Sequence, residues 1–147
     1  MTAPSLKYTL YRDMILMIKQ NKTKGKVNSA KPTYILCLIE GIEKGIIVNN
    51  QIYYDDVYAL FKEKYSGKET MPHFPYPFFY LQSDGFYNLQ WKVKPEKYKF
   101  PTMTFIRENL DFAYLDNALW DLLQDAEIRH LYKTLIIENF FSNKENK

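Results

Sequence analysis

Residues 73–89 constrain the fold more than any other stretch, because they combine seven aromatic residues, two prolines and an Asp-Gly pair. Two short aromatic runs, at 78–81 and 86–89, flank the segment that contains Asp84 and Gly85. An Asp-Gly pair supplies the positive backbone φ that a tight hairpin turn needs. The pattern therefore predicts a β-hairpin over residues 78–89.

The two prolines in this stretch, Pro75 and Pro77, predict an extended approach to the hairpin, because a proline disfavours helical geometry in the residue before it. Such an approach would hold Tyr76 and the ring of Pro77 at defined positions and create a rigid, partly apolar surface. The alternative is that the aromatic residues simply fill the core of the protein.

Length and composition predict a single soluble domain over residues 1–147, with a frayed polar tail at 142–147. The net charge of +3 permits a polyanionic partner but is small for a protein that binds nucleic acid without specificity. The only cysteine, Cys37, excludes an internal disulfide and predicts a buried thiol in a reducing compartment. No apolar run approaches the roughly 18 residues of a membrane span, so we expect no membrane contact and a cytoplasmic location.

Two helices are predicted in the first third of the chain. Ser5 is placed to cap the first helix, over residues 5–20, whose apolar side chains recur at helical spacing. The predicted apolar face consists of Leu6, Leu10, Met14, Met17 and Ile18. Pro32 suits the first turn of the second helix, and residues 33–44 are apolar on most faces, which predicts a buried helix.

The order of the remaining elements indicates the fold class. Residues 46–54 predict a short extended piece, Asp55 is placed to cap a third helix, and the hairpin follows. Helix, helix, short strand, helix, hairpin is the order of many winged-helix modules. We expect a predominantly helical α+β fold with a winged-helix-like core, a β-hairpin and a C-terminal helical extension.

The C-terminal extension contains three predicted helices. Thr102 or Thr104 is placed to cap the first, which is predicted to run through Leu110. Asp116 and Asp125 are placed to cap the other two.

Residues 19–31 form the most one-sided positive segment, with five lysines and no acidic residue. They lead into the predicted N-terminus of the second helix, where lysines and unpaired backbone N–H groups together favour a phosphate. A solvated loop is the alternative. The predicted contacts to a nucleic-acid backbone are Lys22, Lys24, Lys26, Asn28, Ser29, Lys31 and Arg107.

The sequence contains no pattern that indicates catalysis. His73 and His130 are 57 positions apart, without the spacing of a metal site, and no glycine-rich phosphate loop or nucleophile elbow is present. We therefore expect neither a cofactor nor an enzymatic activity. Binding is the remaining interpretation, and Tyr76, Pro77 and Tyr80 are predicted to line a small apolar pocket.

Four blocks of sequence resemble the sulfur-binding domain of modification-dependent HNH restriction endonucleases. They are Lys31-Pro32 ahead of an apolar helix, the blocks 76–78 and 81–86 (Tyr-Pro-Phe and Leu-Gln-Ser-Asp-Gly-Phe), and 119–125 ahead of Arg129. The resemblance extends from about residue 6 to residue 141. It departs from the family at Ala30, where many members carry a histidine, and in the missing HNH domain.

The resemblance implies recognition of phosphorothioate-modified double-stranded DNA, in which sulfur replaces a nonbridging phosphate oxygen. It implies that Tyr76, Pro77 and Tyr80 form the sulfur pocket and that Lys31 contacts the DNA backbone. Sulfur is larger, softer and more weakly hydrated than oxygen, so it loses less on entering an apolar pocket. Such a protein would be a sensor in a restriction or defence system, and cleavage would require a separate nuclease subunit or a further part of the protein.

Two other functions remain open at this point. The scaffold could serve as a protein-interaction or regulatory domain that uses the aromatic surface for a partner protein. It could also be an ordinary winged-helix transcription regulator, which should show base-dependent affinity and normally carries polar residues along its reading helix.

Overall fold

The computed structural model describes residues 5–20, 29–65, 71–94 and 101–141, and the backbone of 22–23 and 26–27. The helices are α1 (Leu6–Leu16), α2 (Ala30–Glu43), α3 (Tyr54–Lys64), α4 (Pro75–Tyr80), α5 (Met103–Asn109), α6 (Asn117–Leu122) and α7 (Ala126–Ile136). The strands are β1 (Lys22–Thr23), β2 (Lys26–Val27), β3 (Tyr87–Trp91) and β4 (Leu110–Leu115). A 3-10 turn, Leu81–Asp84, follows α4, and a π turn, Ile137–Phe141, follows α7. The predicted α+β class, predominantly helical, is confirmed.

Helix α2 is the centre of the molecule and packs against α3, α4 and α7. Every residue from Tyr34 to Ile39 is buried, as the apolar run predicts. Pro32 lies in the first turn, where a missing N–H breaks no intrahelical hydrogen bond. Burial raises the pKa of the Cys37 thiol to about 12, so this side chain stays protonated and packs as an apolar group.

The predicted hairpin over 78–89 is wrong. Residues 75–80 form α4, and both prolines lie in its first turn, where backbone N–H groups need no helical acceptor. Strand β3 pairs instead with β4, antiparallel, with Tyr87 opposite Leu115 and an irregularity between Gln90 and Trp91. The two-stranded hairpin that the structure contains is β1–β2, inside the lysine-rich segment, with Lys22 opposite Val27.

Strand β4 also corrects the predictions for two neighbouring segments. The helix predicted through Leu110 ends at Asn109, although Thr102 caps it as predicted, accepting from the Phe105 N–H at 3.0 Å. In the predicted extended piece at 46–54, Ile52 forms an isolated antiparallel bridge with Ala113 of β4. The central β4 strand is therefore flanked by β3 and by this bridge.

The segment of α1 turns to the core only part of the face that its spacing predicts, because Ile18 is buried and Met14 packs against the core, whereas the other three predicted residues do not. Leu6, Leu10 and Met17 are exposed, at 88%, 54% and 78% of their surface. The buried residues of this segment are Tyr11, Ile15 and Ile18. The aromatic rings set this orientation: the ring of Tyr8 stacks on Tyr132 of α7, with centroids 5.0 Å apart, and the Tyr11 hydroxyl donates to Asp116.

The predicted helix caps are confirmed in part. Ser5 accepts from the Tyr8 N–H, and Asp125 accepts from Glu127 and Ile128. Asp116 precedes α6, but its carboxylate accepts from the side chains of Tyr11 and Asn88 and does not cap the helix.

Asp55 lies one residue inside α3, whose N-cap is Tyr53, so its predicted capping role is wrong. The predicted frayed tail at 142–147 is outside the described residues. None of the helices in the described part of the chain is both long and apolar enough to span a membrane.

Candidate nucleic-acid interface

One buried carboxylate connects the two ends of the lysine-rich segment. Asp84, at the end of the 3-10 turn, accepts the backbone N–H of Lys19 at 2.9 Å and pairs with Lys31 Nζ at 2.7 Å. Its side chain is only 2% exposed, and that of Lys31 is 15% exposed. Lys19 and Lys31 are the two ends of the segment that carries β1 and β2. We call this group of three residues the Asp84 junction.

Gly85 positions the junction against α1. It has the positive φ, +99°, that the Asp-Gly pair predicts, although the turn belongs to a helical segment and not to a hairpin. A Cβ at this position would lie 2.8 Å from Cε of Met14 in α1. The backbone conformation therefore favours glycine here, whereas the contact is with the flexible end of the Met14 side chain, which can shift.

The outer face of α4 presents a row of aromatic rings. Tyr76 and Tyr80 are each 38% exposed, and their rings meet edge to face with centroids 5.6 Å apart. The exposed His73 ring continues the row, 5.0 Å from the Tyr76 ring, and its Nε2 lies 3.3 Å from the carbonyl oxygen of Pro101. We call His73, Tyr76 and Tyr80 the aromatic row.

Pro77 does not share this exposure. Its ring is buried, as are Phe78 and Phe79, so the prediction of an exposed proline beside the tyrosines is wrong. The helical geometry explains the difference, because residues 76 and 80 lie one turn apart on the outer face, whereas residue 77 points inward. Pro77 can therefore support the aromatic row from below and offers little surface of its own.

A hydrogen-bonded pair of buried tyrosines fixes α4 to the rest of the molecule. The Tyr87 hydroxyl of β3 donates to the carbonyl oxygen of Phe78 at 2.6 Å, and the Tyr34 hydroxyl of α2 lies 2.8 Å from the Tyr87 hydroxyl. Because the proton of Tyr87 is used on Phe78, Tyr34 is the donor to Tyr87. Burial raises the pKa of both hydroxyls, so they remain neutral donors.

The aromatic row and the Asp84 junction lie on one continuous piece of chain. Tyr80 ends α4, the 3-10 turn begins at Leu81, and the turn ends at Asp84. The Ser83 hydroxyl donates back to the carbonyl oxygen of Tyr80 at 2.9 Å, which ties the turn to the helix. The start of α2, where Lys31 lies, is thereby held beside the end of α4.

The other predicted backbone contacts are described to different extents. Ser29 is the N-cap residue of α2, and its side chain does not cap the helix. Lys22 lies in β1 and Lys26 in β2, but their side chains are outside the described part of the structure. Lys24 and Asn28 are outside it altogether.

Arg107 belongs to a different environment. Its Nε donates to Asp55 of α3 at 3.1 Å, and its guanidinium lies over the Tyr54 ring, 5.8 Å from the centroid. Lys92 Nζ donates to the carbonyl oxygen of Arg107 at 3.2 Å. These residues border a cleft of about 180 Å³ between α3, α5 and β4. Among the described residues, no hydrogen bond or ion pair connects Arg107 to the Asp84 junction.

Sequence reasoning missed Asp84 as a partner of the lysine-rich segment. The sequence assigns it to a turn through its neighbour Gly85, and nothing in the spacing of 53 residues indicates the pair with Lys31. Within the described residues, no three His, Cys, Asp or Glu side chains are grouped closely enough to hold a metal ion.

Comparisons with known proteins give matches at the level of structure alone. No family model and no curated protein matches the chain. The sulfur-binding and SRA domains of ScoMcrA, solved in complex with phosphorothioated DNA, match with a TM-score of 0.68 and 14% identity, over 89% of this chain and 42% of that one. The sulfur-binding domain of ScoMcrA alone, also complexed with phosphorothioated DNA, matches with a TM-score of 0.64 and 14% identity, over 89% of this chain and 87% of that one. The chain therefore has the fold of a sulfur-binding domain.

Proposed function

We propose that this chain is a non-catalytic DNA-binding module that recognises phosphorothioate-modified double-stranded DNA. The observation that carries the proposal is the Asp84 junction, which joins the lysine-rich segment to the aromatic row on a fold shared with a domain solved on such DNA. A cationic segment beside an apolar surface is the combination that a sulfur-substituted phosphate needs, because that group keeps its charge and is more weakly hydrated.

In this proposal Tyr76 and Tyr80 form the walls of the sulfur pocket, and Pro77 supports them from below. The tyrosine rings are exposed and fixed edge to face, so they offer the sulfur an apolar contact at little cost in conformational entropy. An ordinary phosphate oxygen would lose hydration there without gaining a hydrogen bond. Discrimination between the two atoms follows from that difference.

The backbone contacts of the proposal come from both sides of the start of α2. Lys22, Lys24, Lys26, Asn28 and Ser29 precede the helix, and Lys31 lies in its first turn. Their contribution is affinity that is independent of base sequence and falls as salt rises. Arg107 would provide a separate contact after exchanging Asp55 for a phosphate.

The proposed module binds DNA without cutting it, so its role in a cell would depend on other proteins. A module of this kind would act as a sensor in a restriction or defence system, and a separate nuclease subunit would cut the DNA. The buried, protonated Cys37 thiol is compatible with the reducing cytoplasm, which is the proposed location.

The test is a fluorescence-anisotropy titration of the chain with two duplexes of identical sequence, one of which carries a single phosphorothioate. We expect tighter binding to the modified duplex, with a preference that persists as salt is raised, because it arises from apolar contact. Equal binding to both duplexes, or binding to neither, would refute the proposal.

A second candidate function, a protein-interaction domain, is favoured by the exposed apolar side chains of α1. Leu6, Leu10 and Met17 lie on one face of this segment, which is unusual for a solvated helix. Replacement of Leu10 by Glu should leave DNA binding unchanged if this face serves only a protein partner. A winged-helix transcription regulator is not favoured, because the second helix is buried from Tyr34 to Ile39 and presents no reading face.

A further inference from the structure

We propose that Asp84 sets the electrostatic part of DNA affinity by holding Lys31 neutralised at the edge of the binding surface. This inference rests on the proposed function, in which the start of α2 faces DNA. It assigns to Asp84 the role of a positioning residue, distinct from the sulfur-contacting role of Tyr76 and Tyr80.

The Lys31–Asp84 pair is largely buried. Asp84 is 2% exposed and already uses one oxygen on the Lys19 N–H, so its carboxylate cannot swing away from Lys31 without breaking two interactions. Lys31 has three N–H donors, and the pair with Asp84 uses one of them. A phosphate can still accept a hydrogen bond from Lys31, but it meets the combined charge of an ammonium and a carboxylate.

Lys31, which the sequence predicts to contact a phosphate, should therefore contribute little to the electrostatic part of DNA affinity. A phosphate near the pair is attracted by Lys31 and repelled by Asp84, so the two effects largely cancel. Replacement of a nonbridging phosphate oxygen by sulfur leaves the total charge of the phosphate group unchanged. Asp84 should therefore lower the affinity for modified and unmodified DNA by the same factor and leave the preference to the aromatic row.

The principal experiment compares Asp84→Asn with the unaltered chain on both duplexes, over a range of salt concentrations. Asparagine retains an oxygen for the Lys19 N–H and removes the negative charge. We expect the affinity for both duplexes to rise about fivefold at low salt, the effect of one unit charge a few Å from a phosphate. The salt slope should steepen by about 0.9 as Lys31 becomes an effective cation, and the preference for the modified duplex should stay constant.

A double-mutant cycle assigns the effect to Lys31. In the Asp84→Asn background, Lys31→Met should reverse the steepening of the salt slope, because it removes the ammonium that has lost its partner. A double variant whose salt slope is as steep as that of Asp84→Asn would show that Lys31 is not involved, and would overturn the inference.

The matched control is Glu43→Gln at the other end of α2. Glu43 pairs with Lys133 at 2.9 Å and with Nε of Arg129 at 3.6 Å, so this substitution also removes one negative charge and weakens the pairing of two cations. The site is about 18 Å from Lys31 along the helix, which is beyond a Debye length at physiological salt. We expect less than a twofold change in affinity. A gain equal to that of Asp84→Asn would attribute both effects to net charge and would overturn the inference.

A further pair of variants keeps the inference testable if Asp84→Asn fails to fold. Lys31→Met leaves the Asp84 charge uncompensated, whereas Lys31→Met with Asp84→Leu replaces the pair by apolar side chains, which buried pairs often tolerate. We expect the double variant to bind unmodified DNA at least threefold more tightly than the single variant. Equal binding by the two would overturn the inference.

Absence of a phosphorothioate preference in the unaltered chain would instead refute the proposed function, since the Asp84 variants are compared on unmodified DNA.

Discussion

Two ion pairs, Lys31–Asp84 and Arg107–Asp55, each join a predicted phosphate contact to an aspartate more than 50 residues away, yet they differ in burial. The side chains of the first pair are 15% and 2% exposed, and those of the second are 47% and 66% exposed. An exposed pair exchanges its partner for a phosphate at little free-energy cost, whereas a buried pair resists separation. Burial, and not the type of cation, therefore decides how much of each positive charge is available to a phosphate.

Removal of the buried Asp84 carboxylate should have the largest effect on stability. Asp84→Ala leaves the Lys31 ammonium and the Lys19 N–H without their acceptor, so we expect the free energy of unfolding to fall by about 3 kcal/mol, the lower end for a buried pair because Lys31 is 15% exposed. Urea denaturation followed by circular dichroism measures the change. Asp55→Ala is the control and should lower it by less than about 1 kcal/mol. Equal losses would contradict the distinction between the two pairs.

A second substitution disturbs the junction without touching a charge. Gly85→Ala introduces a Cβ at φ +99°, well beyond the left-handed region near about +57°, and should destabilise the protein by about 2 kcal/mol, because the flexible Met14 Cε can move away from the new methyl group. Gly45→Ala is matched, since its φ is +75° and a Cβ there meets nothing within 4 Å. It should cost about 1 kcal/mol, because its φ is closer to the left-handed region near about +57°. Thermal unfolding of both variants compares the two backbone conformations, and equal losses would contradict the expected difference.

The third prediction concerns the aromatic row. Tyr76→Ala should reduce the preference for phosphorothioate DNA by about fivefold, since it removes one apolar wall of the proposed pocket, and should leave the salt slope unchanged. Anisotropy titrations on the two matched duplexes provide the measurement. Tyr53→Ala removes another exposed tyrosine, at the N-cap of α3, and serves as the control. A loss of preference in the control would show that the row is not special.

The smallest expected effect tests the exposed pair. Arg107→Gln should weaken binding to both duplexes about two- to threefold and reduce the salt slope by about 0.9, because one phosphate contact is lost. Stability should stay close to that of the unaltered chain, because the pair is exposed. An unchanged salt slope would exclude Arg107 from the interface and confine the backbone contacts to the region of α2.

Local signals in the sequence predicted the elements whose cause is local. The apolar run behind Pro32 predicted the buried α2, and the Ser5 and Asp125 caps follow from side chains that bond within three residues. Cys37 is buried as its surroundings predict. The resemblance of the short motifs to a sulfur-binding domain was also confirmed at the level of fold.

The sequence predictions were wrong where the structure of a segment depends on a partner that is distant in the sequence. Residues 86–89 carry a strand pattern, but β4, with which they pair, begins more than 20 residues later, and α4 forms because its prolines lie where helices accept them. The face of α1 was set by Tyr132 and Asp116, over 100 residues away. Likewise, no pattern in the sequence indicates that Lys31 is paired with Asp84.

The hydroxyl of Tyr87 has a consequence for how such a module acquires new targets. Because it holds the carbonyl oxygen of Phe78 from a neighbouring strand, the segment that carries Tyr76 and Tyr80 is braced by the sheet and is preorganised before any ligand arrives. Ordering that segment is part of folding, so association should proceed with little rearrangement and altered selectivity should come from exchanging individual side chains on a fixed frame. Chains of this fold with altered selectivity should then differ at positions 73, 76 and 80 and retain Tyr87.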